Sequence, residues 1–343
     1  MTKNILIIKL SAIGDVIHAL PTAAAIKETW PNSHITWVVS PVALDIVRNS
    51  PAIDDIIVFE RKKLNSLSSF LKYIKPFSAQ LNKRHYDICI DLQGLLKSAV
   101  IAFLSHADKK IGYVNMREGS GFISKAVKGP NYNGHIVERY LDTVRYLGCA
   151  PQNIDFPLGI TNTDTHNAQQ ILFANNILPT NKYLTLVIGA NWPNKRWPTK
   201  YFSQIVDWCT SNDIVPILTG AGNIDKNLAK LIQDTAQTKA VNLVNSTSLK
   251  ELAYIIKNSV AVIGGDTGNL HMAAALKTPA IMIMGPTDAN RNGLYQQTQN
   301  VLEVPYECKH CWKRKCKFNR DCLSIIKPDM VIQKLQTIIN LSK

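Results

Sequence analysis

The chain reads as an α/β protein of two domains, each built on a parallel sheet. Three observations predict this: strand-like apolar runs alternate with helical stretches through the first half, the alternation breaks between Gly148 and Asp164, and it then restarts. Strict alternation implies a parallel sheet covered by helices on both faces. With 343 residues, 46% of them hydrophobic, the chain is long enough to fill two cores.

In the first half, Ile5 to Lys9 is an apolar strand and Val16 to Trp30 a helix, with Pro21 early enough to bend it rather than abolish it. Ile35 to Val39 and Ile56 to Phe59 are strands. Leu64 to Leu81 is a basic amphipathic segment, Tyr86 to Asp91 a strand, Gln93 to Leu104 a helix, and His135 to Leu147 a further helix. The stretch from Gly148 to Asp164 holds two prolines and many turn residues, which marks a linker. The first domain is therefore expected over residues 1–160. The second, over 161–327, has strands at Tyr183 to Ile188, Val215 to Leu218 and Val241 to Leu243, and helices at Tyr201 to Ser211, Lys226 to Ala236 and Leu249 to Asn258. Residues 328–343 carry a last amphipathic helix, from Pro328 to Leu341.

No apolar run approaches the roughly 20 residues that a membrane helix needs. The N-terminal apolar run is interrupted by Lys9 and Asp15 and has no small-residue cleavage site, so it reads as a strand and loop, and the chain is expected in the cytoplasm. A formal charge of +14 points to nucleic acid, an anionic membrane or an acidic substrate. No zinc-finger spacing with paired histidines, aromatic ribonucleoprotein motif or helix-turn-helix signal is present, which argues against nucleic acid. Basic residues fall in short groups, at Arg61-Lys62-Lys63, Lys109-Lys110, 125–128 and 309–320. Taken singly, each group is ordinary solvated surface; together they suit an anionic membrane.

The segment from Val260 to Thr287 is the most informative. An apolar run ends in Gly264-Gly265. Asp266 and Thr267 stand where a helix should start, and His271 to Leu276 continue it. Either residue, or both, can cap the first turn. Such a helix start is also an anion site, because free N–H groups and the positive dipole end face outward together. A second run, Pro279 to Met284, leads into Gly285-Pro286-Thr287, so the two loops should leave one edge of a parallel sheet, where ligands bind. Four other strand ends carry polar loops. In KLSAIGD, Gly14 permits close approach of backbone to ligand, and Asp15, at the next helix start, reads by itself as a helix cap. DLQGLLKSA follows Tyr86 to Asp91, and its Lys97 by itself is a solvated helix lysine. GANWPNKRWP follows Tyr183 to Ile188. TGAGNID, from Thr219 to Asp225, lacks the G-x-G-x-x-G spacing of a dinucleotide site. Finally, Cys308, Cys311, Cys316 and Cys322 have spacing C-x2-C-x4-C-x5-C. They read either as ligands of a structural zinc or iron or as reduced thiols in a surface loop. His310 is an alternative ligand.

The patterns K-x-S-x-x-G-D-V-x-H-x-L-P, D-x-Q-G-L-x-K-S-A, G-A-x-x-x-x-K-R-W-P and D-T-G-x-x-H-x-A-A-A-L together resemble the bacterial lipopolysaccharide heptosyltransferases of glycosyltransferase family 9, most closely the first type. The resemblance implies a GT-B fold, two Rossmann-like domains whose parallel sheets face a central cleft, with the last helix crossing back onto the first domain. It implies an inverting transfer of heptose from ADP-heptose to Kdo of the inner core, on Kdo-lipid A, at the cytoplasmic face of the inner membrane and with no cofactor required for catalysis. A second-type enzyme with a different acceptor is the alternative; a non-catalytic nucleotide-sugar or nucleic-acid binder is the other class. By that resemblance Asp15 is the general base and Lys195 the cation that meets the leaving diphosphate. Gly189, Ala190, Asn191, Lys195, Asp225, Thr247, Asp266, Thr267, Gly268 and His271 form the donor site. Ser11, Gly14, Arg61, Gln93, Lys97 and Arg117 form the acceptor site. A similar cysteine-rich stretch near the C-terminus occurs in many members of the broader family.

Overall fold

A computed structural model describes residues 2–60 and 67–341, with side chains described in those ranges except at 67–71 and 340–341. The chain divides into two units, Met1–Gly159 and Ile160–Lys343, against an expected change after residue 160.

The first unit carries six strands: β1 (Asn4–Ile8), β2 (His34–Val39), β3 (Asp55–Val58), β4 (Ile88–Asp91), β5 (Lys109–Tyr113) and β6 (Lys125–Val127). All pair in parallel, in the order β3-β2-β1-β4-β5-β6. The helices are α1 (Ile13–Thr29), α2 (Leu44–Val47), α3 (Leu67–Leu81), α4 (Leu96–Leu104) and α5 (Ile136–Arg145). Leu6 and Ile8 of β1 point into a core shared with Phe77 and Leu81 of α3 and Ile101 and Ala102 of α4. Ile5 and Ile7 are equally buried and point by strand alternation to the other face, where α1 and α5 pack together. Pro21 lies within the unbroken span of α1.

The second unit repeats the plan. Its strands are β7 (Tyr183–Val187), β8 (Val215–Thr219), β9 (Val241–Asn242), β10 (Ala261–Gly265), β11 (Ala280–Met284) and β12 (Val301–Glu303), in the order β12-β11-β10-β7-β8-β9, again all parallel. Its helices are α6 (Asn162–Ala174), α7 (Thr199–Thr210), α8 (Gly222–Thr235), α9 (Leu249–Lys257), α10 (Gly268–Ala275), α11 (Ala289–Asn292) and α12 (Pro328–Leu341). In each unit the strand order reverses once, between β1 and β4 in the first and between β7 and β10 in the second. Helices that follow the two central strands leave toward opposite faces there, which opens a crevice beyond the strand ends. The register pairs Ile8 with Asp91 and Val187 with Gly264. The polar loops after those residues are therefore the ones that meet at each crevice.

Two expectations change. The linker ends earlier than Asp164, because Thr161 caps α6. Its hydroxyl accepts from the Asp164 N–H at 3.1 Å, and the Asp164 carboxylate accepts from the Thr161 N–H at 2.9 Å. The terminal helix, expected on the first unit, instead buries Val331, Leu335 and Ile338 in the second unit's core beside Trp197, Tyr201, Phe202 and Ile205. Its approach is fixed by the indole N–H of Trp197, which donates to the Ile326 carbonyl at 2.8 Å, and by Lys327, whose ammonium donates to the Tyr201 hydroxyl at 2.7 Å.

Candidate active site

In the first unit, the chain leaves β1 through Lys9, which is 3% exposed. Its ammonium donates to the Leu92 carbonyl at 2.9 Å and the Tyr140 hydroxyl at 2.7 Å, so a charge that would be costly in isolation is held by fixed acceptors. Asp91, fully buried at the end of β4, accepts from the N–H groups of Gln93 and Gly94, both at 2.9 Å, and from the Ser98 hydroxyl at 2.9 Å. Burial pushes its pKa upward; those donors and the nearby Lys9 charge oppose the shift without cancelling it. The side-chain oxygen of Gln93 then reaches across to accept from Leu10 N–H at 3.0 Å and Ser11 N–H at 3.2 Å. Gln93, expected at the acceptor, thus also locks the two loops of the crevice to each other.

Asp15 lies in the first turn of α1, half-buried, and its Oδ2 accepts from the Ala12 N–H at 3.1 Å. Asp15 is therefore not the N-cap, a position held by Ala12, but reaches back to it from the third helical position; its Oδ1 has no hydrogen-bond partner among the described residues. Gly14 sits beside it in the same turn. Lys97 is half-buried in the first turn of α4, and the Arg117 N–H donates to the Gly94 carbonyl at 2.8 Å, which brings the exposed Arg117 to the same turn. Gly94 has φ +63°, and a Cβ there would crowd Tyr113 and Met116. Five of the six expected acceptor residues, Ser11, Gly14, Gln93, Lys97 and Arg117, therefore come together at this edge; Arg61 lies outside the described residues. Sequence reasoning assigned no role to Lys9 or Asp91. The available signal was a charge flush with the end of an apolar strand, in ILIIK and ICID.

In the second unit, Lys195 lies on the short turn Pro193–Lys195 after β7. The turn is closed by Arg196, whose Nε donates to the Ala190 carbonyl at 2.9 Å. It packs on the end of β10 so tightly that a Cβ on Gly265 would stand 1.9 Å from the Lys195 carbonyl oxygen. Asp266 follows, 7% exposed. Its Oδ2 accepts from Lys195 Nζ at 2.5 Å and from the Thr287 hydroxyl at 2.6 Å, and its Oδ1 meets His271 Nε2 at 3.1 Å. Burial alone would raise the Asp266 pKa. The His271 hydrogen bond and charge, then Lys195, outweigh it and hold the carboxyl far below the ordinary carboxylate range.

Asp266 and His271 were expected to face the ligand. Both are buried, with both oxygens of Asp266 engaged, so that Asp266 anchors the loops around it. Thr267 is the residue before α10, but its side chain makes no cap, and its buried hydroxyl has no partner among the described residues. Among the described residues the N–H groups of Gly268 and Asn269 also have none. The helix start beside the Lys195 ammonium is thus an open set of donors, suited to an anion.

The remaining donor residues flank this junction. The carboxylate of Asp225 lies over Gly189 and Gly220, where a Cβ would collide with it at 2.1 and 2.6 Å, and accepts from the Ala221 N–H at 2.9 Å. Asn191 is exposed. Thr247 is half-buried in the loop after β9, whose Asn245 accepts from the Gly222 N–H at 2.6 Å.

The four clustered cysteines line one pocket of about 20 Å³ together with Asn194, Gly285, Pro286 and Arg320, room for one or two water-sized spheres. Cys316 Sγ accepts from the N–H groups of Arg320 and Phe318, which lower its pKa. This donor set of soft sulfur suits zinc or iron. Among the described residues the group of His, Cys, Asp or Glu whose ligand atoms lie within 4.8 Å of one another is His85, Asp87 and Asp108; the four thiols do not form such a group. The His85 group lies at the opposite, amino end of the sheet, with Asp87 already accepting from the Asn4 N–H at 2.6 Å.

Residues 74–321 match the sequence model of glycosyltransferase family 9 (heptosyltransferase). The lipopolysaccharide heptosyltransferase 1 of Pseudomonas aeruginosa is 27% identical over 92% of this chain and 88% of its own length. Among solved structures, the Escherichia coli heptosyltransferase WaaC with ADP is 26% identical, with a TM-score of 0.78 over 98% of this chain and 99% of that one. A family 9 glycosyltransferase from Veillonella parvula shares the fold, with a TM-score of 0.85 at 23% identity, over 99% of this chain and 98% of its own. The architecture is that of the GT-B heptosyltransferases.

Because the folded Asp266 pKa is depressed below its ordinary 3.8, the junction contributes stability that is complete above that value and is lost as pH falls through the lower folded pKa. Asp266→Asn is expected to lower the stability of the second unit at pH 7 by roughly 3–5 kcal/mol, because Lys195 is left as an uncompensated charge. It should also flatten the decline in stability from about pH 4 downward. Denaturant melts of both proteins across that pH range check this; parallel pH profiles would count against the junction.

Proposed function

The chain belongs to glycosyltransferase family 9, the heptosyltransferases, and from that premise we propose that it transfers heptose from ADP-heptose to Kdo of the lipopolysaccharide inner core, with inversion at the anomeric carbon. The observation that carries this reading is the open helix start at Gly268 and Asn269 beside Lys195, held on Asp266. It has the donor groups and charge that a nucleoside diphosphate needs. Two relatives support the donor half of this reading: one is a lipopolysaccharide heptosyltransferase 1, and another was solved with ADP.

In the reaction, Asp15 Oδ1 takes the proton of an acceptor hydroxyl. The freed oxygen attacks the anomeric carbon as the bond from that carbon to the diphosphate oxygen breaks, and ADP leaves. Lys195 and the α10 N–H groups meet the charge that grows on the diphosphate, stabilisation by donors already in place. Lys97 and Arg117 supply cations for the acidic acceptor. Asp225 offers an acceptor for a ribose hydroxyl. No step needs a metal. Cys308, Cys311, Cys316 and Cys322 would hold zinc or iron as a structural cross-link of their loop.

Among the described residues no helix is long and apolar enough to cross a membrane. An acceptor anchored in lipid nevertheless requires the enzyme to work at a bilayer surface, on the cytoplasmic face where the nucleotide sugar is found. Leu96, Val100 and Phe103 lie on one exposed face of α4, and Phe122 on the neighbouring turn is 95% exposed. With a net charge of +14, this face suits anionic lipid.

Asp15→Asn separates base from cap, since Asn keeps the accepting oxygen but cannot take the proton. It should melt within about 1 kcal/mol of wild type, still bind ADP-heptose, and turn over roughly 10²–10⁴-fold more slowly. Turnover within a few-fold of wild type would assign the base elsewhere. For the membrane, co-sedimentation with anionic vesicles should fall as salt rises and fall further in Phe122→Ser; equal binding to neutral and anionic vesicles would contradict it.

A further inference from the structure

The cysteine loop is strapped to both loops that supply the partners of Asp266. The side-chain amide of Asn194, the residue before Lys195, donates to the Lys313 carbonyl at 2.6 Å. The N–H groups of His310 and Trp312 donate to the carbonyls of Gly285 and Pro286 at 3.1 and 2.8 Å, immediately before Thr287. The Arg314 guanidinium lies 5.5 Å from the Trp192 ring centroid, and the same ring has the Lys195 ammonium 4.7 Å from its centroid. Gly285 keeps the contact close, since a Cβ there would come within 3.2 Å of Cys322 Sγ.

One atom in this arrangement is unsatisfied. Among the described residues the buried Asn194 Oδ1 has no hydrogen-bond partner, although Asn194 lines the pocket of the four thiols. A buried acceptor without a partner is costly. The side chain therefore touches the cysteine loop with its amide and borders the thiol pocket, while its backbone is the middle residue of the Lys195 turn.

We propose that Asn194 is a positioning residue that couples the thiol pocket to the donor site: a thiophilic metal ion held by Cys308, Cys311, Cys316 and Cys322 fixes Lys195 and Thr287 on Asp266 and so tightens binding of the donor's diphosphate. This rests on the donor and metal assignments made above. The four cysteines need contribute nothing to the chemical step, because the effect is on the geometry of the two loops. Coupling between two sites is reciprocal, so ADP must tighten the metal by the same factor that the metal tightens ADP.

The test uses the full chain, zinc as the metal and ADP as the ligand. Zinc affinity is measured by competition with a chromophoric chelator, with and without saturating ADP, and ADP affinity by calorimetry, with and without zinc. We expect one zinc per chain and a mutual tightening of about five-fold or more in both directions. In Asn194→Ala, zinc should still bind at one per chain while the factor falls to near one. Zinc and ADP binding independently to the wild type would overturn the coupling and leave both site assignments intact. Failure to hold zinc would overturn the metal assignment and the coupling with it; failure to bind ADP would overturn the donor site. Coupling that persists in Asn194→Ala would remove Asn194 as the link. The wild-type measurement decides the coupling even if the variant does not fold.

Discussion

The second unit is organised around one buried carboxylate. Asp266 is nearly inaccessible and ionised, a state that burial disfavours, and it persists because three donors converge on it. Those donors come from different parts of the chain: Lys195 after β7, His271 on α10, and Thr287 after β11. Satisfying the charge therefore fixes three segments relative to the end of β10. Gly265 follows from the same requirement, since any side chain would hold the Lys195 turn away. Because both oxygens of Asp266 are engaged by these donors, it leaves the first N–H groups of α10 uncapped, and the open anion site is a consequence of the anchor.

The first unit solves the corresponding problem with a different set of residues. Asp91 gathers the turn after β4, Lys9 ties the end of β1 to it through the Leu92 carbonyl, and Gln93 clasps the backbone of Leu10 and Ser11. Asp15 is carried on the helix that begins just beyond this clasp. In both units, buried polar groups at the strand reversal hold loops whose outward atoms are left for a ligand. Each carboxylate serves position, and the groups presented to solvent are N–H donors, ammonium groups and the half-buried Asp15.

Much of this was legible in the sequence. Apolar runs bounded by glycine and charge located the central strands β1, β4, β7, β10 and β11, because strands buried on both faces are continuous in hydrophobicity. The loops after them carried the motifs. The short strands β5, β6 and β12 were not found: β5 opens with two lysines, and β6 and β12 are three-residue edge strands with too few buried positions to make a pattern. The partner surface of α12 was unreadable for another reason. Amphipathicity says that a face must be buried and does not say against what; only the packing of Val331, Leu335 and Ile338 with Trp197 decides it. The anchoring role of Asp266 was hidden because a carboxylate before a helix is equally consistent with cap, ligand and anchor. What separates them is the arrival of Lys195 and Thr287, distant in sequence and joined only by the fold.

The central claim is that the loops held by Asp266 bind a sugar diphosphate whose sugar is passed to a lipid-borne acid. The most direct measurement is mass spectrometry of Kdo-lipid A after incubation with the purified full chain and ADP-heptose. The account predicts that the acceptor gains one heptose while ADP is released in equal amount. An unchanged acceptor, under conditions where ADP-heptose binding is measured independently, would contradict it.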